Sequence, residues 1–174
     1  QVFEEYPNSR ATINFKGVLT DMLMDCGHGD VIEGIRRLAE NGQLEFTGTG
    51  KYHPILPLIP KKEVKRQIDL NAQTNRRSFG KAYAPQGFFP PEMCYSQDVL
   101  QPIIRSGYRW LIVSGIACPS EWPMDTIYRA ECDGQKIAVF FRDDILSNRI
   151  SFQELGPKEF IAHLEEWQGE RGTK

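Results

Sequence analysis

Apolar and polar positions follow two different periods along the chain, and the changes of period divide it into strands and helices. Ala11-Thr-Ile-Asn-Phe-Lys-Gly17 alternates residue by residue, as a half-buried strand does, and runs into a helix of roughly ten residues. Val31, Ile35 and Leu38 recur at i, i+4 and i+7, which draws one apolar stripe on a second helix. Asp30 and Glu33 have the spacing of a capping box, and Gly42 stands where a helix-ending glycine belongs. Residues 43–49 return to a strand pattern ending in Gly-Thr-Gly, and three prolines make residues 52–60 a loop. Residues 63–79 carry Val64 and Ile68 among many charges, as a solvent-covered helix does. A strand over residues 87–92 is interrupted by Pro90-Pro91, which cannot continue a ladder. Ser96 then caps a helix bearing Val99, Ile103 and Ile104 that ends at Gly107. Residues 109–115 form a nearly continuous apolar run, the pattern of a strand buried on both faces. Residues 128–132 and 136–141 flank Asp133-Gly134, a hairpin signal. Residues 147–153 read as irregular, and Pro157 opens a last helix with Phe160, Leu164 and Trp167 on one face.

Strands separated by helices imply parallel pairing through crossovers, an α/β fold. The long polar insertions all follow strands, at the end where barrel enzymes keep their sites, so part of a (β/α) barrel is expected rather than a doubly wound sheet. A small β-hairpin insertion completes the pattern. The chain reads as one domain over residues 1–174, cut at both ends: it opens at Gln1 without Met and stops at Gly-Thr-Lys straight after a helix.

Composition narrows the partners. A compact chain of 174 residues buries roughly 70% of its unfolded surface, enough for one core without staples. With 40% hydrophobic and 25% charged residues it is not of the disordered class. No run approaches about 20 apolar residues, so no membrane-spanning helix is expected. The 21 Lys and Arg against 23 Asp and Glu leave a net charge of −2, which argues against nucleic acid or an anionic membrane as the main partner. Cys26, Cys94, Cys118 and Cys132 show no C-x-x-C spacing, and His28, His53 and His163 are scattered, so no metal site is read. Free thiols, with no signal peptide and no N-x-S/T acceptor, suggest a cytoplasmic setting.

Three segments that follow strands gather unusual chemistry. In Gly42-Gln-Leu-Glu45-Phe-Thr-Gly-Thr-Gly-Lys-Tyr52-His53-Pro, Glu45 sits near the end of a strand with apolar neighbours, either aimed into a pocket or paired structurally. His53, on a loop, is a ligand-facing or an ordinary hydrogen-bonded histidine. In Gln86-Gly-Phe-Phe-Pro-Pro-Glu92-Met-Cys-Tyr-Ser96, Glu92 stands at a strand tip among Phe88, Phe89 and Tyr95. Such surroundings tune a carboxyl group for acid, base or nucleophile work; the alternative is a glutamate capping the next helix. In Arg142-Asp143-Asp144, at most one aspartate faces a shared pocket if the strand persists, and Arg142 can pair with the other. Tyr52 and Trp122 offer faces for stacking on sugar rings, whereas Trp110, inside an apolar strand, reads as core. Carboxylates at strand tips beside aromatic platforms are the equipment of a glycosidase, whose oxocarbenium-like transition state needs one carboxyl at C1 and another at the leaving oxygen.

At these residues the chain resembles glycoside hydrolase family 57, which contains α-amylases, amylopullulanases and glucanotransferases. Gly42-Gln-Leu-Glu45 with Tyr52-His53-Pro-Ile-Leu-Pro-Leu resembles the family's second signature region, and Gly87-Phe-Phe-Pro-Pro-Glu92-Met its third. Ile104 to Gly115 resembles the helix and strand that come next, and the similarity runs over roughly residues 10–152. The Tyr-His-Pro form is closer to the amylase branch than to the glucanotransferases. The resemblance implies an incomplete seven-stranded (β/α) barrel, Glu92 as nucleophile of a retaining α-glycosidase, and Glu45 and His53 in the substrate pocket. The family's first region, a His-Gln-Pro strand, and its general acid, an aspartate on a later strand, would both lie outside this sequence.

The expected function is therefore retaining hydrolysis of α-glucans, or transfer between them, in which Glu92 attacks the anomeric carbon. Tyr52, Trp122 and Asp143 join Glu45 and His53 as expected substrate contacts. No metal or organic cofactor is expected for that chemistry. The alternatives are a non-catalytic carbohydrate-binding or regulatory protein of the same fold, and a metal-dependent polysaccharide deacetylase, which needs an Asp with two clustered histidines.

Overall fold

In the computed structural model, which describes residues 2–171, six strands form one sheet in the order β1-β2-β3-β4-β6-β5. After a short helix α1 (Val2–Glu5), the chain runs through β1 (Ala11–Asn14), α2 (Gly17–Asp25), α3 (Gly29–Glu40), β2 (Leu44–Gly48), α4 (Lys61–Phe79), β3 (Gly87–Phe88), α5 (Gln97–Arg105) and β4 (Trp110–Ser114). It continues with β5 (Tyr128–Cys132), β6 (Gln135–Arg142), α6 (Asp144–Ser151) and α7 (Pro157–Arg171). β1, β2, β3, β4 and β6 are parallel neighbours, and β5 pairs antiparallel with β6 through the Asp133-Gly134 turn. The first four strands lie side by side in chain order, joined by helices packed on one face. A doubly wound sheet reverses its order, whereas this is the wall of a (β/α) barrel that does not close on itself.

The alternation of side chains decides which face each residue joins. Phe46, Phe88, Leu111, Val113, Ile137 and Val139 point toward the helices. All but Phe46 meet Val64 and Ile68 of α4 and Val99, Leu100 and Ile103 of α5 in one cluster; Phe46 joins Phe15, Ile32, Phe79 and Tyr83 in a second. Burying each such side chain contributes roughly 1.5–3 kcal/mol. The opposite face carries Thr12, Asn14, Glu45, Thr47, Trp110, Ile112 and Phe140. β4 is not buried on both faces: Leu111 and Val113 are sealed, while Trp110 and Ile112 are only partly covered. Trp110 lies across Gly87, where an added Cβ would stand 2.0 Å from its ring, and packs edge-on against Phe140.

Several local expectations need correction. α3 buries Ile32 with Ile35 and Ala39 behind it, and Val31 faces solvent, so the stripe is rotated by one residue. The capping box does not form, because His28 is the N-cap and Glu33 pairs with Arg36 instead. Gly42 does end the helix, at φ 71, with its N–H bonded to Ala39 and that of Gln43 to Leu38, the Schellman pattern. Ser96 is the N-cap of α5 without a side-chain bond. α4 is not merely a solvent-covered helix; it buries Gln67, Asn71, Thr74 and Asn75 beside its apolar residues. Residues 147–153 are largely helical, since α6 runs to Ser151. Gly172-Thr173-Lys174, the expected cut end, lies outside the described residues. Among the described residues no helix is long and apolar enough to cross a membrane, and the four cysteines are free thiols.

Candidate active site

β3 is short because proline cannot extend it. Phe89 still donates its N–H to the Gly48 carbonyl at 2.8 Å, and Pro90-Pro91 then turns the chain away from the ladder. A single 3-10 turn over Pro91–Met93 is closed by Met93 N–H to Pro90 O at 2.8 Å. Within it Glu92 and Met93 take φ values of 55° and 51°, a left-handed pair of non-glycine residues. Such residues cost on the order of 1–3 kcal/mol each and persist where the surroundings over-determine them. The Glu92 side chain remains 63% exposed beyond the C-terminal end of β3.

The loop after β2 brings a partner to it. Gly48 to Lys51 are buried, and His53 lies at φ 59 with Nε2 2.5 Å from Glu92 Oε1. The contact is a hydrogen bond, and an ion pair when the imidazole carries both protons. His53 is one-third exposed, and its buried Nδ1 has no hydrogen-bond partner among the described residues. Tyr52, next to it, is exposed, with the Lys51 ammonium 5.3 Å from its ring centroid.

The other expected contacts lie elsewhere. Glu45 is the second residue of β2, opposite Thr12, and lines a shallow hollow with Arg10 and Gly42 at the N-terminal end of the strands. It precedes Gly48, the partner of Phe88, by three residues, roughly 10 Å along the strand. The structure therefore does not bring Glu45 to Glu92. Asp143 accepts the Leu146 N–H at 2.8 Å and caps α6. Asp144 accepts from the Ser114 hydroxyl at 2.8 Å and from the Ile116 N–H at 3.2 Å, and pairs with Arg142. Burial alone would raise its carboxyl, but those bonds hold it below its ordinary range. Trp122 stacks on Tyr128 at 4.8 Å and 16° and leaves 46% of its surface open. Among the described residues no three His, Cys, Asp or Glu are grouped to hold a metal ion.

Sequence reasoning missed the polar residues behind the His53 loop. Lys51 reaches inward to Asp21 at 2.6 Å and to Thr74 at 2.9 Å, and Gln67 accepts the Tyr52 N–H at 3.1 Å. Their signal was the spacing of uncharged Gln67, Asn71, Thr74 and Asn75 at i, i+4, i+7 and i+8 on one face of a charged helix.

Known proteins share this sequence pattern and fold. The chain is 28% identical over 176 residues to α-amylase 1 of Dictyoglomus thermophilum, covering 99% of this chain and 25% of that protein. It superposes on the crystal structure of 4-α-glucanotransferase from Thermococcus litoralis with a TM-score of 0.80 and 27% identity, over 94% of this chain and 26% of that one. The chain thus spans about a quarter of the length of the relatives it matches. A CE4 family pseudoenzyme from Bacillus anthracis shares the fold alone, with a TM-score of 0.51 at 13% identity, over 66% of this chain and 37% of that one. The model of glycosyl hydrolase family 57 matches residues 1–173, and the chain belongs to that family.

Proposed function

We propose that the protein carrying this chain is a retaining α-glucan hydrolase or glucanotransferase with Glu92 as its nucleophile. The observation that carries the reading is the Glu92 carboxylate, held in a strained turn beyond β3 and 2.5 Å from His53. In the first step a Glu92 oxygen bonds to the anomeric carbon while the glycosidic C–O bond breaks. The leaving oxygen takes a proton from a carboxyl group outside this sequence. In the second step water, or the hydroxyl of an acceptor glucan, attacks the same carbon and releases the carboxylate, so the anomeric configuration is retained. His53 occupies one carboxylate oxygen, Oε1, and leaves Oε2 for the attack.

Tyr52 and Trp122 supply ring faces for stacking on sugars. Asp143, spent on the α6 cap, and Glu45, at the far end of β2, are not carried into this reading. Similarity to an α-amylase and to a 4-α-glucanotransferase supports α-glucans as substrates and leaves both fates of the intermediate open. The test is incubation of the intact protein with soluble starch, following reducing ends and the anomeric configuration of fresh products by NMR. Release of α-anomers, lowered on the order of 1000-fold or more in Glu92→Gln, is expected. β-Anomers would overturn the reading in favour of an inverting mechanism, and no product from any α-glucan would overturn it in favour of a carbohydrate-binding role.

A further inference from the structure

We infer that Gln67, a buried side chain of α4, is a positioning residue that holds His53 against Glu92. The inference rests on the proposed nucleophile. Gln67 is 5% exposed and engages the His53 loop twice. Its Oε1 accepts the Tyr52 N–H at 3.1 Å, and its backbone carbonyl accepts the Lys51 N–H at 3.2 Å. The amide has one possible orientation. Its Nε2 lies 2.9 Å from Glu63 Oε1, and a carboxylate only accepts, so the NH2 faces Glu63 and the carbonyl oxygen faces Tyr52. Glu63 keeps its charge because the Arg66 hydrogen bond, and then that of Gln67, hold it below the usual carboxylate range.

A second anchor lies one residue earlier. The Lys51 side chain is 10% exposed and joins Asp21 of α2 at 2.6 Å to Thr74 of α4 at 2.9 Å, and its carbonyl accepts the Val18 N–H at 3.4 Å. Residues 51 and 52 are therefore pinned from two helices immediately before His53, the residue at φ 59. A histidine left to itself relaxes to negative φ, which would swing its ring off Glu92. The buried polar face of α4 is what prevents that relaxation. Gln67 touches neither substrate nor the reacting atoms, and acts only through the backbone of residues 51 and 52.

The test isolates the nucleophilic step in the intact protein. An α-glucosyl fluoride carrying a second fluorine at C5 transfers its sugar to the nucleophile: the Glu92 oxygen to C1 bond forms, the C1–F bond breaks and fluoride leaves without an acid. Intact mass reads the rate. Gln67→Met keeps the volume and removes the acceptor, and its labelling rate is expected to fall tenfold to about a hundredfold, with reagent affinity changed less than about twofold. Thr74→Val, which removes the second anchor's acceptor, is expected to fall about threefold or more. Val99→Ala, buried in α5 and with no polar contact to residues 51–53, controls for lost stability. Labelling of Gln67→Met and Thr74→Val at the parent rate, or a fall matched by Val99→Ala at equal loss of Tm, would overturn the positioning role. Absence of label on the parent protein would instead overturn Glu92 as nucleophile.

Discussion

Gly48 is the last residue of β2, immediately before the loop that delivers His53, and its missing side chain is occupied by Tyr108. A methyl group there would stand 2.1 Å from the Tyr108 hydroxyl oxygen and 2.2 Å from Cζ, so the ring must move by more than an ångström. The ring is buried, its phenol is pushed up chiefly by desolvation, and it packs on Phe88 at 5.1 Å. Overpacking of about 1–3 kcal/mol and loss of an aromatic pair of about 0.5–1.5 kcal/mol give Gly48→Ala a cost of about 2–4 kcal/mol. Alanine is otherwise the better strand residue, by about 0.5–1 kcal/mol, so backbone preference cannot explain a loss. Tyr108→Ala alone costs about 3–5 kcal/mol, and in its background Gly48→Ala should cost less than about 1 kcal/mol. Hydrogen exchange of the β2 amides in the intact protein measures the local opening free energy of all four proteins. Gly48→Ala as stable as the parent, or a full cost persisting beside Tyr108→Ala, would refute the close-approach argument.

The same geometry predicts further outcomes. Asp143→Ala should lower the thermal stability of the α6 region by about 1 kcal/mol through the lost cap while leaving starch turnover within about twofold, whereas a substrate contact would raise KM. Lys51→Met should destabilise by about 1–3 kcal/mol, since Thr74 loses its donor while Asp21 keeps Arg77, and urea unfolding of the variant reads this directly. Asp144 has a depressed folded pKa, so its stabilisation is present above the unfolded value of 3.8 and is lost as pH falls through the lower folded one. The Tm difference between the parent and Asp144→Asn should thus be constant near neutrality and shrink below about pH 4, and a pH-independent difference would contradict the assignment.

The strand and helix positions were legible because burial on one face imposes a period, and their alternation implied the barrel wall. The features that escaped are those that depend on a neighbour. Val31 fits a helical stripe as well as Ile32 does, and only the packing of α2 and α4 against α3 selects Ile32. The polar face of α4 looked solvated because Gln, Asn and Thr are usually outside, yet Gln67 and Thr74 bond the buried loop after β2, and Asn71 and Asn75 bond Gly17 and Thr20 of α2. Helix α6 was hidden because Asp143-Asp144 reads as a strand end, although Asp143 is the N-cap of that helix. His53 and Glu92 each stood out in the sequence, but their contact spans 39 residues and depends on β2 lying beside β3. Glu45 seemed near a strand tip because the pattern marks a strand without its direction of exit.

The central claim is that Glu92 forms the bond to the sugar, and azide rescue of Glu92→Ala in the intact protein tests it most directly. The account predicts that the variant releases almost no sugar from an α-glucoside with an activated leaving group, and that added azide, filling the space of the missing carboxylate, restores turnover and yields β-glucosyl azide. Turnover of Glu92→Ala at the parent rate without azide would contradict it, as would an α-configured azide product.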